Sequence, residues 1–212
     1  LILIAQETTY YGVDIYGDRK LKILIEELTK INGIEWIRLH YTFPLAFPKD
    51  VLMLMRDSKK VCHYIDIPLQ HINDRILTSM KRQVSKRRIV NLIKIIRDIV
   101  PDVAIRTSFI VGYPGETEAE FEELCNFVEE QKFERVGVFM YSHEEGSYAY
   151  NNLEDNIAED IKQERLNRLM LIQQEISEKK NMEYVGKIIK VIIDEVNKDI
   201  IIGRTQYDSP EI

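Results

Sequence analysis

The sequence predicts an α/β fold, a parallel sheet in a partial (β/α) TIM-type barrel, followed by the start of a small β-barrel domain. Strand-like and helix-like segments alternate over residues 1–184 of the 212-residue chain, joined by short connections. This alternation is typical of right-handed βαβ units around a parallel sheet. The predicted strands include no second set that would extend the sheet on the other side of the first strand. This pattern suits a partial barrel at least as well as a doubly wound sheet. Residues 185–212 follow a β pattern instead and are predicted to begin a second domain.

Short apolar runs predict the strands of the sheet. The first run, "LILIA", is apolar throughout, as expected of a parallel strand that is covered on both faces. The remaining strands are predicted at 35–41 ("EWIRLHY"), 63–71 ("HYIDIPLQH"), 105–111 ("IRTSFIV") and 135–141 ("RVGVFMY"). Pro68 is predicted to end the third of the five strands, and Asp66 to lie in its middle.

Helices are predicted between these strands, where apolar residues recur every three or four positions. Thr117 and Glu120 fit a capping box at the start of one helix, in which the glutamate reaches back to the N-cap. The last helix, 159–184, has a predicted apolar side of Leu166, Leu169, Met170, Gln173 and Ile176. The other helices are predicted at 19–31, 48–57, 73–80 and 86–100.

Both ends of the chain point to a longer protein. Residues 185–212 predict a hairpin around 197–199 that is short for a domain, so we interpret it as the truncated start of a β-barrel. The chain opens on Leu1, with an apolar strand already under way. We therefore expect this sequence to be part of a larger chain.

Composition excludes several classes of protein. A net charge of −6 argues against a surface built chiefly for nucleic acid, which is normally basic. Cys62 and Cys125 are too far apart in sequence for a compact metal site, and two cysteines make no disulfide framework, so we expect no metal ligands here and a cytoplasmic location. No apolar run approaches the ~20 residues that cross a bilayer, so no membrane partner is expected.

Polar residues follow each predicted strand. In parallel α/β folds the functional groups gather at the carboxyl ends of strands, so these residues are expected to converge on one site. The first two strands supply Gln6, Glu7, Thr8, His40 and Tyr41, and the later ones supply Gln70, His71, Arg106, Ser108, the 112–116 turn, Tyr141, Ser142 and His143.

Charged residues inside strands have two interpretations. Arg106, Ser108 and Ile110 share one face of their strand because side chains alternate, and Arg38 and His40 share a face of theirs. Buried charges are costly unless they are paired. The charges are therefore either an internal ion-pair layer or the lining of a polar cavity for a charged ligand, and both interpretations stay open.

The turn at 112–116 is a second candidate for ligand binding. Gly112 and Gly115 allow backbone conformations that a side chain would block. Free N–H groups at such a turn, just before a helix, could receive a carboxylate or a phosphate. A tight connection between strand and helix explains the two glycines equally well.

Several blocks of sequence resemble a known family. "LILIAQETTYYGVDIYG", "WIRLHY", "YIDIPLQH", "IRTSFIVGYPGET" and "FMYSHEEGSYA" are similar, in order and spacing, to the radical S-adenosylmethionine (SAM) methylthiotransferases. The closing "GRTQYDSPEI" resembles the start of the TRAM domain of the RimO branch, which methylthiolates an aspartate of ribosomal protein S-twelve. The resemblance covers essentially the whole chain.

The resemblance implies a partial barrel of the radical SAM class that binds SAM across its open top. Ile110 and Gly112 correspond to residues that contact the adenine. Gln70, Arg106 and Ser108 would line the side of the ribose and the carboxylate. Ser108 stands where the family often has glycine.

For Glu7, just after the first strand, the resemblance implies a contact with the amino group of the methionine part. The family also uses two 4Fe–4S clusters, one held by a C-x-x-x-C-x-x-C loop. That loop and the domain of the second cluster would precede Leu1, so this chain alone is expected to be catalytically silent.

The resemblance further implies a ribosomal protein as the partner. Residues 185–212 carry four basic and five acidic residues, a balance that suits a basic protein substrate better than tRNA. The alternatives are the tRNA-modifying branch of the family (MiaB) and a docking scaffold without chemistry. A generic phosphate-binding barrel enzyme ranks last, because no catalytic acid–base pair is evident.

Overall fold

The computed structural model describes residues 1–45 and 47–210, and within them five strands form one sheet and two form another. The strands are β1 (Ile2–Leu3), β2 (Ile37–Leu39), β3 (Val61–Asp66), β4 (Ala104–Val111), β5 (Arg135–Met140), β6 (Val191–Val196) and β7 (Ile201–Thr205). The helices are α1 (Val13–Tyr16), α2 (Leu21–Thr29), α3 (Lys49–Asp57), α4 (Asp74–Ser79), α5 (Lys86–Ile99), α6 (Glu118–Gln131), α7 (Tyr148–Asn152) and α8 (Glu159–Met182), with a 3-10 turn at Thr8–Tyr10.

The larger sheet takes its strands in chain order, β1-β2-β3-β4-β5. The pairings of β1 with β2, β2 with β3, and β4 with β5 are parallel. A doubly wound sheet reverses its strand order at a switch point, and this order has no reversal. The α/β prediction is confirmed, and the strand order is that of a (β/α) barrel.

The third strand differs from its prediction. β3 spans Val61–Asp66, whereas the prediction placed a strand within 63–71 that is ended by Pro68. Pro68 has no N–H to donate to a ladder, so the segment after Asp66 continues outside the strand. Asp66 therefore ends the strand, whereas it was predicted to lie in the middle. Its Oδ2 accepts a hydrogen bond from the N–H of Tyr41 (3.1 Å).

The buried side of α8 also differs from its prediction. Met170 is exposed, and Leu166 is only half-buried. The buried residues of α8 are Lys162, Arg165, Leu169, Gln173 and Ile176. Two cations thus extend the buried side of the helix toward its amino end. The short helices α1 and α7 were not predicted from the sequence.

The chain divides into two compact units. The first consists of Leu1–Asp66, Lys94–Ile105 and Tyr184–Ile212, and the second of Ile67–Ile93 and Arg106–Glu183. In the first unit, Ile192 and Tyr207 pack against a buried cluster of Trp36, Cys62, Tyr64 and Ala104. In the second unit, the rings of Phe109, Phe127 and Phe133 pack together at centroid distances of 5.7–6.3 Å.

The predicted hairpin is present. β6 and β7 pair in antiparallel fashion, and the N–H of Asn197 donates to the carbonyl of Ile200 (2.8 Å). Glu211, counted above among the acidic residues, and Ile212 lie outside the described residues. The domain boundary between residues 184 and 185 stays a prediction. No described helix has both the length and the apolar character needed to cross a bilayer.

Helix α6 begins with the predicted capping box. Thr117 Oγ1 accepts a hydrogen bond from the N–H of Glu120 (3.4 Å), and Glu120 Oε2 accepts one from the N–H of Thr117 (2.9 Å). Arg75 also binds the Glu120 carboxylate, with Nε at 2.6 Å and Nη2 at 2.5 Å. The hydrogen bonds from Arg75, and then those from Thr117, lower the pKa of Glu120 to about 2.

We expect Glu120→Gln to remove a pH-dependent part of the stability. Because the folded-state pKa is depressed, the carboxylate stabilises the fold above its ordinary value of 4.5, and this contribution is lost as the pH falls toward about 2. Denaturant unfolding at a series of pH values should show the difference in unfolding free energy between wild type and variant shrinking across this window. Glu129→Gln, at an exposed position of the same helix, is the control. A difference that stays constant down to the lowest pH contradicts the prediction.

Candidate functional site

The alternation of side chains predicted for β4 is confirmed. Arg106, Ser108 and Ile110 are half-buried, and the residues of the opposite face are buried. In the parallel register, each of the three lies opposite a residue of β5. The pairs are Arg106–Arg135, Ser108–Gly137 and Ile110–Phe139, and we call these six residues the β4–β5 face.

The β4–β5 face changes in chemistry along its strands. Its amino end carries two arginines, and guanidinium groups are suited to bind a carboxylate. In the middle, the Ser108–Gly137 pair has little side-chain volume. At the carboxyl end, the Ile110–Phe139 pair is apolar and Phe139 is 58% exposed, so a planar heterocycle can stack there.

Gln70 is held beside this face by its backbone. Its N–H donates to the carbonyl of Ser108 (2.9 Å), and its carbonyl accepts from the N–H of Ile110 (2.9 Å). The backbone of Gln70 is left-handed, with a φ of 72°. The structure thus brings Gln70, Ser108 and Ile110 together, and Arg106 lies on the same face of β4. Their roles toward a cofactor stay predictions.

The turn after β4 is closed by side chains of the protein itself. Gly112 and Gly115 have φ values of 71° and 75°, in the region that favours glycine. The N–H of Gly112 donates to Glu116 Oε2 (2.5 Å), and the N–H of Gly115 donates to Asn156 Oδ1 (2.8 Å). The prediction of free N–H groups is wrong for these two glycines, because a carboxylate and an amide already accept their hydrogen bonds.

Glu116 is the most highly connected residue of the turn. It is 2% exposed, and its carboxylate binds the N–H of Gly112, His71 Nε2 (3.1 Å) and Arg165 Nη1 (2.9 Å). His71 Nδ1 accepts a hydrogen bond from the N–H of Asn73 (3.0 Å), which places the ring proton on Nε2, where it donates to Glu116. A buried carboxylate needs such partners, because burial penalises its charge.

Two cations of α8, Lys162 and Arg165, contact this turn, and neither was predicted as a site residue. Arg165 Nη1 binds the carbonyl of Glu116 (3.1 Å) as well as its carboxylate. The aliphatic stem of Lys162 lies where a Cβ on Gly112 would stand, and its Nζ binds Asp155 Oδ2 (2.7 Å). Their spacing from Leu169 continues the buried side of α8. If the methylene stems of Lys and Arg are counted as apolar, the sequence predicts that both residues lie on the buried side of α8.

The residues predicted at the end of β5 form an aromatic group. Tyr141 packs edge-to-face on the buried Tyr113, at a centroid distance of 5.3 Å. Its hydroxyl lies 2.9 Å from His143 Nδ1, and the His143 ring packs on Tyr150 at 4.7 Å. Burial raises the pKa of Tyr141.

Glu7 lies in the first unit, in the loop after β1. Its Oε1 accepts a hydrogen bond from Thr9 Oγ1 (2.9 Å) and lies 4.0 Å from Arg19 Nη2. Both Glu7 and Arg19 have about a third of their side-chain surface exposed. The role predicted for Glu7 is not tested by these contacts.

Arg38 and His40, also in the first unit, contact the C-terminal segment. The Arg38 guanidinium lies 5.3 Å from the centroid of the Tyr64 ring and donates to the carbonyl of Thr205 (3.2 Å). His40 Nε2 lies 2.8 Å from Ser209 Oγ. These contacts join β2 and the residue after it to the end of β7 and to the segment that follows, which local sequence patterns could not indicate.

The two cysteines are unsuited to bind a metal as they stand. Both are buried, and burial raises the pKa of the Cys62 thiol and raises that of Cys125 to about 12. Among residues 1–45 and 47–210, no group of three or more His, Cys, Asp or Glu side chains could hold a metal ion. The described residues therefore do not fit an iron–sulfur cluster.

The strand order and the β4–β5 face define a (β/α)-barrel type of protein with its candidate site beside the ends of parallel strands. The chain belongs to the radical SAM superfamily, whose family model matches residues 2–128. The model of the TRAM domain matches residues 185–212. The family name itself gives the cofactor class, S-adenosylmethionine.

Curated relatives confirm the resemblance seen in the sequence blocks. The chain is 53% identical over 212 residues to the "Ribosomal protein uS12 methylthiotransferase RimO" of Christiangramia forsetii, covering 100% of this chain and 47% of that protein. It is 52% identical to the protein of the same name from Flavobacterium johnsoniae, covering 100% and 48%. The chain thus spans about half the length of the curated relatives it matches.

Solved structures confirm the fold alone. Coproporphyrinogen III oxidase (HemN) from Escherichia coli, a radical SAM enzyme, matches with a TM-score of 0.59 and 20% identity, covering 73% of this chain and 37% of that one. The radical SAM methyltransferase TsrM from Kitasatospora setae matches with a TM-score of 0.51 and 16% identity, covering 66% and 27%.

We expect Gly112→Ala to destabilise the protein more than Gly115→Ala. Both alanines must adopt a left-handed backbone, at about 1–2 kcal/mol each. At Gly112 the new Cβ must also displace the Lys162 stem, whereas at Gly115 the nearest atom is Arg75 Nη1 at 3.9 Å. Overpacking of this kind adds about 1–3 kcal/mol. Denaturant unfolding of the two variants measures the difference, and equal free energies of unfolding contradict the contact with Lys162.

Proposed function

We propose that this chain is the cofactor-binding part of an enzyme that methylthiolates an aspartate of ribosomal protein uS12 by radical SAM chemistry. The observation that carries the proposal is 53% identity to a protein named for that activity, over all 212 residues. Since the chain spans 47% of that relative, we propose the activity for the natural full-length protein.

The chemistry of the β4–β5 face supports this proposal. The apolar Ile110–Phe139 pair, with Phe139 58% exposed, can accept the adenine ring. We assign Ile110 and Gly112 to the adenine. We assign Gln70 and Ser108 to the ribose side and Arg106 to the carboxylate, because a guanidinium binds a carboxylate through two parallel hydrogen bonds.

When bound, one molecule of S-adenosylmethionine would supply the methyl group, and a second molecule, cleaved by one-electron reduction, would supply a deoxyadenosyl radical. Because the described residues do not fit an iron–sulfur cluster, the electron is assigned to none of them. The residues of this chain bind and orient the cofactor. We assign Glu7 to its amino group, since a carboxylate is the natural partner of an ammonium. For the two clusters of the family, we propose ligands other than Cys62 and Cys125, because both thiols are buried.

A ribosomal protein is the proposed partner, and the cytoplasm the proposed location. The balance of four basic and five acidic residues over 185–212 gives this segment no excess of cations to hold an RNA backbone. A near-neutral or acidic segment is better suited to the basic surface of a ribosomal protein.

We expect the natural full-length protein, reconstituted with iron and sulfide and supplied with a reductant and S-adenosylmethionine, to add a methylthio group to uS12. Mass spectrometry of the digested uS12 should place the added mass on one aspartate. Replacement of that aspartate by asparagine is the control. If the protein modifies tRNA and leaves uS12 unmodified, the MiaB-like alternative is correct. If it modifies neither and forms no deoxyadenosine, the result supports a docking scaffold.

We expect Arg106→Ala to weaken the binding of S-adenosylhomocysteine by about tenfold, the effect of losing one charged hydrogen-bonded contact. Binding of 5′-methylthioadenosine, which has the adenosyl part but no carboxylate, should stay unchanged. Isothermal titration calorimetry on the natural full-length protein measures both affinities. Arg87→Ala, at an exposed position of α5, is the matched control. Unchanged affinity for S-adenosylhomocysteine removes the role of Arg106.

A further inference from the structure

Helix α8 places two buried cations against the Gly112–Glu116 turn. Lys162 is 3% exposed and Arg165 is 6% exposed, and such cations are seldom this buried without a specific partner. Both lie beyond residue 128, where the match to the radical SAM family model ends. The contacts of each cation explain why it is buried at this glycine turn.

Arg165 fixes the Glu116 carboxylate. Its Nη1 lies 2.9 Å from Glu116 Oε2, and the same oxygen accepts the hydrogen bond from the N–H of Gly112 (2.5 Å). The position of the Gly112 amide therefore depends on a carboxylate whose orientation Arg165 sets. His71 binds the other oxygen, Oε1, at 3.1 Å, so both carboxylate oxygens have partners.

Lys162 confines the same glycine from the other side. Its stem occupies the space next to the Gly112 Cα, and its Nζ is anchored by Asp155 Oδ2 (2.7 Å) and Glu159 Oε2 (3.5 Å). The Nζ also lies 5.6 Å from the centroid of the Tyr141 ring. Gly112 is thus held by a hydrogen bond to its N–H and by packing against its Cα.

We propose that Lys162 and Arg165 are positioning residues for recognition of the adenosyl group. They hold Gly112 in its left-handed conformation, with a φ of 71°, at the end of the β4–β5 face, while the residues of that face make the contacts. This inference rests on the proposed function, in which Ile110 and Gly112 receive the adenine. In this proposal, residues of α8 hold the cofactor site in place without contacting the cofactor.

The test measures binding rather than turnover. S-adenosylhomocysteine and 5′-methylthioadenosine are titrated calorimetrically into the natural full-length protein and into Arg165→Met and Lys162→Ala. Each variant should lose about tenfold in affinity for both ligands alike, because the defect lies at the adenosyl part that they share. Arg106→Ala, in contrast, should affect only the ligand that has a carboxylate.

Three variants separate positioning from general destabilisation. Arg168→Met removes a neighbouring cation of α8 that pairs with Glu118 and Glu122 of α6, and it should leave both affinities unchanged. Lys162→Met keeps the stem beside Gly112 and should bind both ligands more tightly than Lys162→Ala does. Arg165→Lys, which keeps the charge, should bind both ligands more tightly than Arg165→Met and more weakly than wild type. If Arg165→Met fails to fold, the affinity of Arg165→Lys tests the role of Arg165 instead.

Amide hydrogen exchange gives a second measurement. In Arg165→Met the peptide that contains Gly112 should exchange faster than in wild type, and in Arg168→Met it should not. If wild type binds neither ligand, the proposed function fails and this inference fails with it. If wild type binds both, and the folded Arg165 and Lys162 variants bind equally well, positioning by α8 is overturned and the proposed function stands.

Discussion

The carboxylate of Glu116 sets the geometry of the candidate site. It is 2% exposed and is bound by a backbone amide, an imidazole and a guanidinium. An ionised carboxylate in such a place is tolerated only when its hydrogen-bonding capacity is met, so each partner is fixed in turn. The Gly112 amide, the ring of His71 and helix α8 through Arg165 are all held by one charge. The turn next to the β4–β5 face therefore has little freedom to change shape.

A buried ion pair of this kind contributes more to geometry than to net stability. The cost of desolvating Glu116 and Arg165 offsets much of their attraction, whereas loss of either partner would leave a buried charge uncompensated. Glu120 makes a related contact from the first turn of α6, where Arg75 and Thr117 bind its carboxylate. One short stretch thus combines left-handed glycines, a buried acid and a helix cap. Each restricts the backbone, and together they specify a single conformation.

Features encoded locally could be predicted from the sequence. The alternation of Arg106, Ser108 and Ile110 follows from the two-residue period of a strand, and the Thr117–Glu120 cap follows from spacing within a helix turn. The hairpin around 197–199 could also be predicted from the sequence. The end of β3 was predicted at Pro68, close to its observed end at Asp66. Spacing alone cannot say that Ile67 and Gln70 still form hydrogen bonds with β4 beyond the end of β3.

By itself the sequence determined the α/β class, the strand faces, the glycine turn and the resemblance to a family, because each is recorded in neighbouring residues. Only the tertiary structure decided which side chains meet. Arg165 lies 49 positions from Glu116, and Lys162 reaches a glycine in another element. The N–H groups of Gly112 and Gly115 proved to be bound to Glu116 and Asn156 rather than free for an external anion. The partners of a buried charge depend on how distant segments pack together. The periodicity of neighbouring residues in the sequence contains no information on that packing.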